Sequence, residues 1–107
     1  MTGLYFKLDD DKIAHSCTMQ EWANQLLSMY KEDKKHVAHE KLNGKTISTV
    51  WLGINHSFIR DEAAIFETMV LEDDFQDIYC RRYSTWQEAE KGHKIAVQWV
   101  KDGCKHE

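Results

Sequence analysis

Proline is missing from all 107 residues, and glycine occurs only five times. Pro-rich linkers, Gly-rich flexible segments and low-complexity tracts are thereby excluded, so one domain over residues 1–107 is expected. No apolar run approaches the ~18 residues of a membrane-crossing helix, and no basic segment followed by an apolar one opens the chain. The three cysteines, Cys17, Cys80 and Cys104, are widely spaced and form no CxxC pair. They read as free thiols in a reducing compartment, with a catalytic thiol as the alternative. A basic excess is missing too, because 14 Lys and Arg against 18 Asp and Glu leave a formal net charge of −4. A general nucleic-acid binder shows the opposite balance, although a local basic site remains compatible with this one. A soluble protein of the cytoplasm is the expectation, with no membrane partner.

What is present is ordinary globular material, 42% apolar and 30% charged, enough for one core without disulfides or metals. The most informative stretch is Ile47–Ile54 (ISTVWLGI), followed by the polar loop Asn55-His56-Ser57-Phe58. Upstream, Asn43-Gly44 favours a type I′ turn, which pairs Val37–Leu42 with Lys45–Ile54 as a hairpin. A two-residue loop sets Leu42 opposite Lys45 and Val37 opposite Val50. Alternation then places Val37, Val50, Leu52 and Ile54 on one face and Ala38, Ile47, Thr49 and Trp51 on the other. Gly3–Leu8, Ala64–Leu71 and Ile78–Ser84 read as three further strands. Asp9–Lys12 reads as a turn.

Two helices carry the same N-terminal signature. Thr18 with Glu21, and Thr85 with Glu88, are capping boxes, in which each side chain satisfies a free N–H of the first turn. The first helix bears a stripe of Trp22, Leu26 and Tyr30 and ends near Lys31–Asp33. The second turns Trp86, Ala89, His93, Ala96, Val97 and Val100 inward and stops near Lys101, ahead of Gly103. The order β-α-β-β-β-β-α predicts an α+β fold: a mostly antiparallel five-stranded sheet with both helices packed on one face. If the helices take the face away from Trp51, then Trp51, Ile47 and one side of the Phe66 strand face water. Such exposure predicts a homodimer or larger homo-oligomer through that face.

The segments TVWLGINHSF, IFETMV and YCRRYSTWQEAEKGH, in that order, resemble a family of small uncharacterised proteins encoded by tailed bacteriophages and prophages. Weaker similarity extends upstream through Thr18–Trp22 and Val37-Ala38, so that the resemblance spans roughly two thirds of the chain. In place of the Gly/Pro-rich loop common before IFETM in that family, this chain has Ile59-Arg60-Asp61-Glu62-Ala63. The resemblance implies a phage origin and expression in an infected bacterium. It implies no activity.

The residues themselves offer a short roster of candidates. His56 sits at a strand end, where a loop imidazole can donate to phosphate, act as a base or ligate a metal. Glu67 interrupts an apolar strand and needs either solvent or a partner such as Arg81 or Arg82. Arg82 shares a side with Cys80 and Ser84, and Arg81 with Tyr79 and Tyr83, so at most one arginine joins any one site. Lys45, with Trp51 or Tyr83 as a ring, could complete a nucleotide site by charge and stacking. His93 reads as a satisfied core histidine. His36 and His39, three apart on a strand, point to opposite faces, a poor arrangement for shared metal ligation. No phosphate loop, nucleophile elbow or zinc signature is present, so neither cofactor nor metal is expected and an enzyme is disfavoured.

The leading expectation is a phage accessory protein that binds without turnover, an anti-defence sponge sequestering a host nucleotide signal through His56, Arg81 or Arg82, Lys45 and a ring. A second is an anti-defence inhibitor of a host protein, presenting the acidic runs Asp9–Asp11 and Glu72–Asp77. A third is a small hydrolase using His56 and Glu67.

Overall fold

The computed structural model describes residues 4–55, 64–74 and 76–104. The order is β1 (Tyr5–Leu8), β2 (Ala14–Cys17), α1 (Met19–Glu32), β3 (His36–Leu42), β4 (Lys45–Trp51), β5 (Phe66–Leu71), β6 (Asp77–Tyr83) and α2 (Trp86–Lys101). The fold is α+β, but its strands divide into an antiparallel β1–β2 pair and a four-stranded antiparallel sheet ordered β3-β4-β5-β6, in place of one five-stranded sheet. β2 has no counterpart in the sequence reading, because its residues, Ala-His-Ser-Cys, alternate neither in polarity nor in burial. It pairs with β1 through a turn built on Asp9, whose Oδ1 accepts from the N–H groups of Asp11 and Ile13.

Both helix starts are as the capping boxes require, with Thr18 and Thr85 each accepting from the N3 backbone and receiving the N3 glutamate in return. α1 stops at Asp33, which takes the left-handed conformation (φ 55°) and returns its N–H to Met29 and Tyr30. Only α2 packs across all four strands of the large sheet. α1 rests on β1, held by Gln25, whose side chain donates to the Leu8 carbonyl at 2.7 Å and accepts from the Leu8 N–H at 2.9 Å. Both helices nonetheless border the same core, since Met29 and Ala89 meet the cluster of Phe6, Trp51, Ile65 and Phe66.

The face that α2 covers is the Trp51 face. Register places Ala38, Glu40 and Leu42 of β3 beside Ile47, Thr49 and Trp51 of β4, then Phe66, Thr68 and Val70 of β5, then Tyr79, Arg81 and Tyr83 of β6. Ile47, Trp51, Phe66 and Val70 are at most 2% exposed. The expectation that Trp51 and Ile47 face water is therefore corrected, and the assembly argument built on that face loses its basis. Alternation correctly grouped Ala38, Ile47, Thr49 and Trp51 on one face. Which group a helix would roof was decided by α2, whose Ala89, Gly92, His93 and Ala96 allow close approach to the Thr49 and Thr68 strip.

A second correction lies in β3. Leu42 does oppose Lys45, but Val50 faces His36 and not Val37, because a bulge inserts one extra residue between His36 and Ala38. Val37 consequently packs in the Trp51 cluster. Such a bulge bends the strand and re-aims the side chains beyond it.

Candidate functional site

Of the residues expected to build a site, His56 lies outside the described residues. The others do not converge. Trp51, 2% exposed, stacks edge-on against Phe66 at 5.0 Å and presents no ring to a ligand. Its Nε1 is buried and finds no hydrogen-bond partner among the described residues. Tyr83 is half-buried beneath α2, where a Cβ added to Gly92 would lie 2.2 Å from its ring. Burial pushes its phenol up, with the Thr68 hydroxyl acting against that. Arg81 lies on the covered side, its guanidinium 4.7 Å above the Tyr79 ring and donating to the Cys80 carbonyl.

Glu67 and Arg82 occupy the opposite face, paired at 3.0 Å through Nε and Oε2. The Glu67 side chain is only 13% exposed, so the pairing expected of a carboxylate inside an apolar strand is present. That engagement occupies the carboxylate and offsets the charge of the arginine that a phosphate would need. Cys80 Sγ also donates to Glu67, at 3.6 Å. Burial, and then the Glu67 charge, push the Cys80 thiol up, so it stays protonated and weakly nucleophilic.

Sequence reasoning missed a buried polar chain under α2. His93 is 3% exposed, and Thr49 and Thr68 are fully buried. The Thr68 hydroxyl meets the Thr49 hydroxyl, Thr49 Oγ1 meets His93 Nδ1 at 2.7 Å, and His93 Nε2 meets Glu40 Oε1 at 3.0 Å. Carboxylate, imidazole and hydroxyl in series have the order of a nucleophile relay. The hydroxyl, however, has no exposed surface through which a substrate could reach it. The chain is architectural, as expected for an inward histidine with both nitrogens engaged. The available signal was the pair of threonines at interior strand positions, each facing the His93 turn of the helix.

Among the described residues, concave surface lies near each end of α2. One region, of about 370 Å³, lies between the β1–β2 turn, α1 and the start of α2, lined by Asp9, Asp10, Glu32, Lys12, Lys34 and Trp86 among others. Its Lys12 ammonium sits 5.0 Å from the Trp86 ring centre, and Lys34 pairs with Glu32 at 3.2 Å. The other, of about 330 Å³, joins the Asn43-Gly44 turn to the β5–β6 connection and is lined by Lys45, Glu72, Asp73 and Asp74. Lys45 therefore faces carboxylates, far from Arg82 in the sheet register. Among the described residues, no three of His, Cys, Asp or Glu come together as a metal-holding group. None of their helices is long and apolar enough to cross a membrane. Comparison with family models, curated proteins and solved structures returns no match.

Proposed function

We propose that the protein acts by binding and not by turnover, as a phage accessory protein that engages a basic surface of a host defence protein in the bacterial cytoplasm. The observation that carries this reading is the lining of both clefts. Asp9 and Asp10 with Glu32 at one end, and Glu72, Asp73 and Asp74 at the other, supply more carboxylates than the lysines beside them offset. The acidic runs noted in the sequence are thus the segments that border concave surface. Anionic clefts attract cationic side chains and speed encounter with a basic partner. The resemblance to phage proteins supports the setting.

Sequestration of a nucleotide signal is the weaker reading, because its residues are scattered. Trp51 is sealed, Arg82 is neutralised by Glu67, and Arg81 and Lys45 lie at separate places. A nucleotide brought to either cleft would meet like charge. Purification of the tagged protein from an infected host separates the readings. The proposed mode returns a host protein whose capture falls with salt and is lost in the charge reversals Asp10→Lys with Glu32→Lys, or Asp73→Lys with Asp74→Lys. A nucleotide that raises the melting temperature and leaves the protein intact would overturn this mode in favour of sequestration. A chemically altered product would establish an enzyme.

A further inference from the structure

His36 and His39 form a cluster that neither the clefts nor the buried chain uses. On a regular strand, residues three apart point to opposite faces. The bulge between His36 and Ala38 cancels that rule, setting His36 opposite Val50 and His39 opposite Ser48 on the same face of the sheet. Their ring centres are 5.0 Å apart with planes inclined by 66°. Two imidazoles sharing one tetrahedral zinc at ~2.0–2.1 Å per Zn–N bond have ring centres about 5 Å apart, each roughly 3.2 Å from the metal. The observed separation matches that requirement.

We propose that His36 and His39 form a two-imidazole site for a borderline divalent metal of the zinc class, with solvent completing the coordination. β3 is an edge strand and His39 is exposed, so the site opens to water. The Lys35 ammonium, which would repel a cation, is turned toward α1, 4.3 Å from the Tyr30 ring centre and 3.3 Å from its hydroxyl. The carboxylate in register on this face, Glu67, is two strands away, roughly 10 Å, and supplies no third ligand.

The test is titration of the full chain with ZnCl2, read by calorimetry and by the nitrogen resonances of the histidine rings. One zinc per chain should bind, with the His36 and His39 rings shifting together. His36→Ala and His39→Ala should each weaken binding roughly ten-fold or more, while His15→Ala, which removes the imidazole paired with Asp9, should leave it unchanged. Melting curves establish that each variant is folded. His39→Asn, at an exposed position, keeps the test valid if His36→Ala is not. Unchanged affinity in the folded His39 variants, shifts confined to other histidines, or no binding at millimolar zinc would overturn the proposal.

Discussion

A buried hydroxyl is costly unless it has partners, and Thr49 has two. With a neutral His93 the chain can be satisfied in one direction: Thr68 donates to Thr49, Thr49 to Nδ1, and Nε2–H to the Glu40 carboxylate. Thr49→Val keeps the shape and strands the groups on either side. The expected loss is about 1–3 kcal/mol per stranded buried group, read from urea denaturation. Adding Thr68→Val should cost less than the sum of the two single changes, because it removes one of the groups the first had orphaned. Fully additive losses would mean that the hydroxyls do not interact. Gly92 acts by absence: with Tyr83 packed where a Cβ would stand, Gly92→Ala should destabilise by about 1–3 kcal/mol through overpacking. An unchanged unfolding midpoint would contradict that packing.

At the scale of elements, α1 and α2 begin alike and are held differently. α2 buries Ala89, Gly92, His93, Ala96 and Val100, whereas α1 buries no residue fully. Much of the attachment of α1 is polar: Gln25 on Leu8, Trp22 on the Leu52 carbonyl, and Glu21 with Lys7 at 2.8 Å. The Lys7 hydrogen bond, followed by those of Thr18, lowers the Glu21 carboxyl to about 2. A carboxyl depressed in the folded state stabilises it above the ordinary value of 4.5, and that contribution fades as pH falls toward about 2. Acid should therefore loosen the α1 start, and Glu21→Gln should flatten the melting temperature between pH 5 and pH 2.5, roughly the window in which the group titrates. An identical acid response in wild type and variant would place the acid-sensitive group elsewhere.

For the whole molecule, the β1–β2 pair with α1 and the four-stranded sheet with α2 share one core through Phe6, Met29 and Trp51. They are not equally secured. Helices with little buried apolar surface open at lower free energy than those that roof a sheet. Amide exchange should therefore release α1 before the middle of α2; equal protection would mean that the two units open together. Charge is also unevenly used at this scale. The carboxylates flank concave regions at both ends of α2, while Glu67 and Arg82, on the opposite sheet face, offset each other as an ion pair.

The local signals in the sequence were strong and were realised. Two capping boxes located both helix starts, Asn43-Gly44 located the hairpin, and period-two alternation sorted Ile47, Thr49 and Trp51 from their neighbours. Those features depend on backbone chemistry within a few residues. Tertiary structure alone decided the rest. A helix could roof either face of the sheet, and the side offering small, complementary surface to Gly92 and His93 was chosen. A one-residue bulge in β3, invisible to a periodic reading, brought His36 beside His39. Arg81, Arg82, Lys45 and Trp51, which the sequence offers as one candidate site, are separated because neighbouring strand residues point apart and because burial claims an indole before any ligand can.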